Sequence, residues 1–210
     1  MIYAPIIIPT LCRSKHLVRL IESLKQNGWA KYTDVYVGVD YPPADRYRAG
    51  WQEICEYMEH GDFSVFSSFN VIRRDKNVGA GMNSYLLFQQ ILERYDRCIL
   101  SEDDNEFSPN FIEYMDKCLD AFESDPDVVA VTGYSYPVEW DVSEGATCMK
   151  QNFNASMWGT GFWKSKRRSC GEYLWSGKML KGINRVIKEK AYERMIDASL
   201  REYIPAAALP

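Results

Sequence analysis

Three adjacent acidic residues, Glu102, Asp103 and Asp104, follow the apolar run at residues 98–101. Adjacent carboxylates repel one another and are costly to remove from water, so a strand end gains no stability from three of them. Hard divalent cations such as Mg²⁺ and Mn²⁺ prefer carboxylate oxygens and complete their coordination with water and substrate phosphates. The triplet therefore predicts a cation site with Asp104 and Asp103 as ligands. The alternatives are a solvated acidic loop or an N-cap for the following helix.

Two further groups of polar residues follow apolar runs earlier in the chain. Pro9 and Thr10 end the first run, and Arg13 follows three residues later, where it could meet a diphosphate or be an ordinary surface charge. Asp40 ends the second run and is the only charge in "VYVGVDYPP". Its carboxylate could accept a hydrogen bond from a nucleotide base or a ribose hydroxyl, or close an Asx turn into Pro42.

A glycine-containing loop, "DKNVGAGMN" at residues 75–83, precedes a helical pattern. Gly79 lets the backbone run close to a ligand, and Asn77 and Asn83 could hydrogen-bond to it; a tight turn into the helix is the alternative. A dinucleotide-binding fingerprint would need a glycine at position 84, where the chain has Ser84, and it should follow the first strand. The phosphate-binding GxxxxGK[ST] motif is also missing, so the sequence disfavours dehydrogenase and P-loop functions.

The hydrophobic periodicity of the first 135 residues predicts alternating strands and helices. The predicted strands are 4–9, 34–40, 66–74, 97–101 and 127–133, and the predicted helices are 14–27, 49–60, 81–95 and 108–123. Repeated β-α-β units with apolar strands are typical of an α/β fold with a mainly parallel sheet and helices on both faces. Ligands bind such sheets beyond the carboxyl ends of the strands, where the polar groups described above all fall. The sequence thus predicts a ligand cleft at that edge.

Finer predictions concern how the helices begin and which side chains face the sheet. Ser14 and Ser108 are expected N-caps, with Pro109 in the first position of the last helix. In the helix at 81–95, the side chains expected to face the sheet are those of Met82, Leu86, Ile91 and Leu92.

The composition is typical of a globular single-domain protein. The 210 residues carry a net charge of −4, which disfavours a nucleic-acid-binding surface. The six cysteines form no CxxC pair and do not predict a zinc site, and Cys98 and Cys118 are expected to be reduced core residues. Pro5 and Pro9 interrupt the first apolar run, and no stretch reaches the ~20 apolar residues of a membrane helix. We therefore expect a cytoplasmic location.

Beyond residue 136 the chain is rich in aromatic residues and glycine without clear periodicity, as in loops and short strands that cover a site. A helical, Lys/Arg-rich pattern returns at 176–203; it could contact an anionic membrane surface or be a solvated helix. The two histidines do not form a Ser/His/Asp arrangement, so acid–base chemistry would have to come from carboxylates.

Four segments, in order, resemble the GT-A glycosyltransferases, especially the inverting family 2 enzymes and the N-acetylglucosaminyltransferase I type. They are "IIIPTLCRSKHLVRLIESL", "NVGAGMN", "SEDDNEF" and "SMWGTGFWKSKR", and they span roughly residues 4–165. The resemblance implies the Rossmann-like GT-A fold in a single domain, 1–210. Within it, 1–135 would be the nucleotide-sugar-binding half and 136–210 the acceptor-side half.

The resemblance also implies a nucleotide-sugar donor, usually a UDP-sugar, with Mn²⁺ or Mg²⁺ as cofactor. Asp104 and Asp103 would hold the cation against the diphosphate, where it stabilises the leaving group as a Lewis acid. The implied donor-binding residues are Pro9, Thr10, Arg13, Asp40, Asn77, Gly79, Asn83, Glu102 and Asp103.

On the acceptor side the resemblance implies Trp158, Gly159 and Trp163, with the tryptophans either stacking on sugar faces or simply packing. A saccharide or lipid-linked hydroxyl would attack the anomeric carbon while a carboxylate base removes its proton. Glu172 is the nearest candidate base. Less well placed are Glu189, Glu193 and Asp197. We therefore expect the base and part of the acceptor site to lie beyond residue 210 in a longer parent, or the activity to be impaired.

Two other functions are compatible with these residues. A nucleotidyltransferase uses a similar sheet and metal but needs a glycine-rich basic loop after the first strand, and "PTLCRSKHL" has no glycine. A catalytically silent domain would bind the nucleotide sugar without transferring the sugar, so donor binding without transfer would distinguish it from an enzyme.

Overall fold

The structure is a computed structural model that describes residues 1–135, 145–150 and 158–166. Its strands are β1 (Ile6–Thr10), β2 (Asp34–Val39), β3 (Ser68–Arg73), β4 (Arg97–Leu100), β5 (Val131–Thr132) and β6 (Thr160–Trp163). Its helices are α1 (Ser14–Lys25), α2 (Arg48–His60), α3 (Ala80–Leu92) and α4 (Phe111–Ala121), with short 3₁₀ turns at Ala30–Tyr32 and Asp45–Tyr47.

The described strands form one six-stranded sheet in the order β3-β2-β1-β4-β6-β5. β1 pairs in parallel with β2 and β4, and β2 pairs in parallel with β3. β6 runs antiparallel to both β4 and β5. The sheet is therefore mainly parallel with an antiparallel end, which confirms the predicted α/β architecture. Of the strand predicted at 127–133, only Val131–Thr132 forms.

The core has two parts, one on each face of the sheet, because successive side chains of a strand point to opposite faces. Ile6 and Ile8 of β1 pack with residues of α1, α2 and α4, whereas Ile7 packs with residues of α3. All three isoleucines are fully buried. Such burial contributes roughly 1.5–3 kcal/mol for each side chain, so β1 is held between both helix layers and fixes the position of the loop that follows it.

The first turns of helix α3 pack on the sheet with different residues from those predicted. Met82 is half exposed, and the buried positions of these turns are Asn83 and Leu87. Asn83 Nδ2 donates to the backbone carbonyl of Gly38 at 2.7 Å, which holds the start of the helix on β2. A Cβ at Gly38 would lie 3.0 Å from Leu87 Cδ2, so the glycine permits the close approach of α3 to β2. Ile91 and Leu92, further along, are buried as predicted.

Two predicted helix starts are wrong. Ser14 is the first residue of α1 rather than its N-cap, and its hydroxyl donates to Glu53 of α2. α4 begins at Phe111, after a turn in which the Phe111 N–H donates to the Ser108 carbonyl at 3.0 Å. The Ser108 hydroxyl donates to Asn110 at 2.8 Å instead of capping the helix, and Pro109 lies in this turn.

Cys98 and Cys118 are buried, as predicted. Burial raises the pKa of the Cys118 thiol to about 12, so it stays protonated at neutral pH. Within the described ranges, no helix has the length and hydropathy needed to cross a bilayer.

Candidate functional site

The carboxyl ends of β1 and β4 lie side by side because the two strands pair in parallel, with Ile7 opposite Leu100. This pairing brings the end of β1 against the acidic loop, although the two are about ninety residues apart in sequence. The Thr10 hydroxyl donates to Asp103 Oδ2 at 2.7 Å, and both side chains are buried. Thr10 therefore fixes one oxygen of the middle acid of the triplet.

Arg13 contacts two acids of the triplet through its guanidinium fork. Its Nη1 donates to Asp104 Oδ2 at 2.6 Å, and its Nη2 donates to Asp103 Oδ1. The side chain of Arg13 is 48% exposed, that of Asp104 is 34% exposed and that of Asp103 is 6% exposed. Burial lowers the pKa of the arginine, but the two carboxylates outweigh this effect and raise it. The pair Asp103–Asp104 thus shares one positive charge.

Glu102 faces a different neighbour from the other two acids. Burial raises the pKa of its carboxyl, and the negative charges of Asp104 and Asp103 raise it further. The positive charge of Arg13 opposes this rise in the pKa, and so does a hydrogen bond from the indole N–H of Trp158. Trp158 also meets the ring of Tyr134 edge to face, with centroids 4.7 Å apart, and remains 44% exposed. An exposed aromatic surface therefore lies next to the acidic loop.

The acidic loop suits a cation that a substrate helps to hold. The described residues contain no group of three or more His, Cys, Asp or Glu side chains placed to bind a metal by themselves. Mg²⁺-like cations are commonly held by one or two carboxylates together with substrate phosphates. Asp104 is exposed enough to act in this way. Thr10 and Arg13 each donate to one oxygen of Asp103, so a cation bound to Asp103 would lie against the positive charge of Arg13.

The carboxylate of Asp40 is buried at the end of β2 and accepts four hydrogen bonds. Its Oδ1 accepts from the backbone N–H groups of Tyr41 at 2.9 Å and Val78 at 3.0 Å. Its Oδ2 accepts from the backbone N–H of Gly79 at 2.9 Å and from Asn77 Nδ2 at 3.1 Å. Asp40 therefore fastens the glycine-containing loop to the end of β2.

The Asx turn suggested for Asp40 does not form, and its contact with a base or a ribose stays a prediction. An Asx turn needs a donor two residues further on, and Pro42 has no N–H. A contact with a base or a ribose would require Asp40 to give up one of its four loop bonds. Gly79 adopts φ 84°, a backbone region that favours glycine, which allows the loop to present its N–H to the carboxylate.

Asn83 lies among the predicted donor-binding residues but faces the sheet. It is 1% exposed and holds α3 on β2 through the carbonyl of Gly38. Its Oδ1 also accepts a hydrogen bond from Arg74 Nε at 3.0 Å. The predicted ligand contact of Asn83 is therefore corrected to a packing role. The sequence did not single out Arg74, because nothing distinguishes it from the neighbouring Arg73.

Trp163 packs in the core and does not face a sugar-binding surface. It is 1% exposed, and its Nε1 donates to the backbone carbonyl of Leu119 at 3.0 Å. Lys166 Nζ lies 3.9 Å from the centroid of the Trp163 ring. It also donates to the backbone carbonyls of Phe122, Asp125 and Val128, which follow α4. The predicted acceptor role of Trp163 is corrected on this ground.

Two predicted site residues, Gly159 and Pro9, have backbone roles. Gly159 adopts φ 74°, and a Cβ there would lie 2.7 Å from Phe107, so this glycine permits tight packing beside Trp158. Pro9 lies within β1 and is half-buried.

The structure groups the other described site residues near the acidic loop and near β2 into two clusters. The first cluster contains Thr10, Arg13, Glu102, Asp103, Asp104 and Trp158, and the second contains Asp40, Asn77 and Gly79. The candidate bases Glu172, Glu189, Glu193 and Asp197 lie outside the described residues.

The sheet and its flanking helices form the fold of the GT-A glycosyltransferases, as comparison with solved structures shows. The structure of residues 1–349 of TarS from S. aureus matches with a TM-score of 0.52, and the same protein in complex with UDP matches with 0.51. The mannosyltransferase PcManGT from Pyrobaculum calidifontis, in complex with GDP-Man and Mn²⁺, matches with 0.54.

Each of these matches is 14% identical in sequence and covers 80% of this chain. The aligned parts make up 49%, 46% and 48% of the solved chains of TarS 1–349, PcManGT and the UDP complex. This chain therefore spans about half the length of each of these solved chains. The sequence matches no protein-family model and no curated protein. Similarity at this level establishes the fold.

Proposed function

We propose that this chain is a metal-dependent glycosyltransferase that moves a sugar, with inversion, from a nucleotide-sugar donor to a hydroxyl of a saccharide or lipid-linked acceptor. A UDP-sugar is the favoured donor. One observation carries the proposal: the carboxyl edge of a GT-A sheet brings Thr10, Arg13, Asp103 and Asp104 into one hydrogen-bonded group. The structures of similar fold include one in complex with UDP and one with GDP-Man and Mn²⁺, which supports this class of donor.

Different residues of the two clusters have different proposed parts in binding the donor. Asp104, the more exposed acid, would hold Mn²⁺ or Mg²⁺, which stabilises the negative charge of the departing diphosphate. Asp103 stays fixed by Thr10, and Arg13 supplies a guanidinium fork that matches phosphate geometry. The second cluster, in which Asp40 holds Asn77 and Gly79, shapes the wall of the cleft beside β2.

Trp158 and Tyr134 provide a surface for the acceptor. Sugar rings stack on exposed aromatic faces, and Trp158 is oriented by its hydrogen bond to Glu102 beside the acidic loop. A saccharide stacked on this surface would lie next to the proposed donor site, which supports an acceptor role for these two residues. The catalytic base is proposed to be a carboxylate in the acceptor-side half, with Glu172 as the first candidate.

Thermal unfolding with nucleotides tests the donor site. The ligands are UDP, GDP, dTDP and CMP, each with and without Mn²⁺, and the proteins are the native chain, Asp104→Asn and the control Asp96→Asn. Asp96 precedes β4, at the opposite end of the strand from Asp104. Ligand at 100 times its Kd adds about 2.7 kcal/mol to the free energy of unfolding. We expect one nucleotide to stabilise the native chain and the control, only with metal, and not Asp104→Asn.

A transfer assay then separates the enzyme from a silent domain. The nucleotide sugar selected by the unfolding experiment is incubated with saccharide acceptors, and release of the free nucleotide is measured. Binding without release would identify a donor-binding domain. No stabilisation by any nucleotide would overturn the proposed function altogether.

A further inference from the structure

Arg13 pairs the two proposed cation-binding acids with a positive charge from within the chain. Arg13 Nη1 lies 2.6 Å from Asp104 Oδ2, and Nη2 donates to Asp103 Oδ1. A guanidinium that donates to both carboxylates puts its positive charge where a divalent cation would bind. The side chain of Arg13 and a cation at Asp103–Asp104 therefore compete for one place.

Arg13 is built so that its side chain can leave while its backbone stays. Its carbonyl accepts hydrogen bonds at 3.0 Å from the N–H groups of His16 and Leu17, which anchors the residue at the start of α1. Its side chain is 48% exposed, so the guanidinium has solvent into which it can rotate. Asp103 keeps its bond to the Thr10 hydroxyl when Arg13 departs, so the acid remains in position.

A diphosphate gives the guanidinium a reason to move. Arginine forms paired, charge-assisted hydrogen bonds with phosphate oxygens that are shorter and stronger than bonds between neutral groups. A nucleoside diphosphate at this edge of the sheet supplies those oxygens and frees the two carboxylates at the same time. Cation and diphosphate should then each strengthen the binding of the other, since linkage between two sites is reciprocal.

We propose that Arg13 is a positioning residue that keeps Asp103 and Asp104 closed to divalent cations until a nucleoside diphosphate draws its side chain away. This inference rests on the proposed donor site. It makes metal binding conditional on donor, so the acids do not collect a cation when no donor is present.

Direct measurement of Mn²⁺ binding tests the proposal without any transfer assay. Free Mn²⁺ is followed by electron paramagnetic resonance during titration of the whole chain, with and without saturating UDP, and with GDP in parallel. The proteins are the native chain, Arg13→Gln, Arg13→Lys and Arg19→Gln. Arg19 lies on the same helix and contacts His16 rather than the acidic loop, so its loss is a matched control for charge.

In the absence of nucleotide, we expect Arg13→Gln to bind Mn²⁺ about tenfold more tightly than the native chain, which corresponds to about 1.4 kcal/mol. Arg13→Lys keeps the charge but not the fork, and should fall between the two. Nucleotide should tighten Mn²⁺ binding about tenfold in the native chain and in Arg19→Gln, but much less in Arg13→Gln. Thermal unfolding without ligand checks that each variant is folded.

Two results would overturn the proposal while leaving the proposed function intact. One is nucleotide-free Mn²⁺ binding that is equal in the native chain and Arg13→Gln. The other is nucleotide that tightens Mn²⁺ binding equally in both proteins. A different result, in which no protein binds Mn²⁺ with or without either nucleotide, would instead remove the metal-dependent donor site itself.

Discussion

Two carboxylate groups lie at the same edge of the sheet and are satisfied in different ways. Asp40, after β2, accepts three backbone N–H bonds and one side-chain amide bond, and it is 2% exposed. Asp103 and Asp104, after β4, are joined by the side chain of Arg13, which is about half exposed. Asp40 is held mainly by backbone N–H groups, whereas Asp103 and Asp104 are joined by a side chain that can rotate away.

This difference shows which acids are structural and which can exchange partners. A buried carboxylate whose donors are backbone groups cannot release them without opening the loop, because each unpaired N–H costs free energy. An arginine on the surface contributes little to stability and can accept a new partner at low cost. A strand-end acid should therefore be judged by the identity of its donors as well as by its position.

The largest stability effect is expected at Asp40. Asp40→Asn replaces one acceptor oxygen by an amide that faces the donors of Gly79 and Asn77, which leaves buried N–H groups unpaired. We expect the free energy of unfolding to fall by about 3 kcal/mol, measured by chemical denaturation. Asp45→Asn, whose side chain is 94% exposed, is the control and should change little. A loss below about 1 kcal/mol at Asp40 would remove the contrast between the two clusters.

Asp116 extends the comparison to a buried acid with a hydrogen bond to only one of its two carboxylate oxygens among the described residues. It is fully buried in α4 and accepts one hydrogen bond, from the backbone N–H of Ala4 at 2.9 Å, while its Oδ2 is unpaired among the described residues. Burial raises its pKa to about 7, although the charge of Arg97 opposes this. The unfolded value is about 3.9, so the folded state binds the proton more tightly between these limits. Stability from this group must therefore increase as pH falls from 7 towards 4.

The pH dependence can be measured against Asp116→Asn, which cannot ionise. Relative to this variant, the native chain should gain about 1 kcal/mol in the free energy of unfolding for each pH unit from 7 down to 5. Asp127→Asn, an exposed substitution, should follow the native chain at every pH. Parallel curves for the native chain and Asp116→Asn would show that the buried carboxyl titrates normally.

The two tryptophans repeat the contrast on the other side of the site. Trp163→Phe removes the hydrogen bond to the Leu119 carbonyl and leaves a small cavity, so we expect a loss of about 2 kcal/mol in denaturation experiments. Trp158→Phe should cost less than about 0.5 kcal/mol because the residue is 44% exposed. The reverse order would mean that Trp158 is the structural residue of the pair.

A small stability effect, together with the largest effect on ligand binding, is expected at Asp104. Asp104→Asn breaks a partly exposed ion pair and should change the free energy of unfolding by less than about 1 kcal/mol. It should nevertheless abolish the metal-dependent stabilisation by nucleotide that Asp96→Asn retains. Thermal unfolding with and without ligand measures both quantities, and a stability loss as large as that of Asp40→Asn would contradict the proposed division.

The sequence was sufficient for the architecture because the periods of strands and helices are properties of contiguous residues. The alternation of elements and the position of the acidic triplet after β4 were both predicted correctly. The predictions that failed concern which residues of a helix face the sheet and which side chain caps a helix. Both depend on local hydrogen bonds that the hydrophobic pattern does not reveal. Met82 is exposed because Asn83 hydrogen-bonds to Gly38, and Ser108 binds Asn110 rather than the helix N-terminus.

The partner of each polar side chain was decided by the tertiary structure alone. Thr10 meets Asp103 across 93 positions of sequence, and Asp40 meets Gly79 across 39. Such contacts follow from the order and register of the strands, which place distant loops at one edge of the sheet. The sequence by itself therefore determined that polar residues gather at this edge, and the packing of the sheet decided that Arg13 holds one pair of acids while backbone N–H groups hold Asp40.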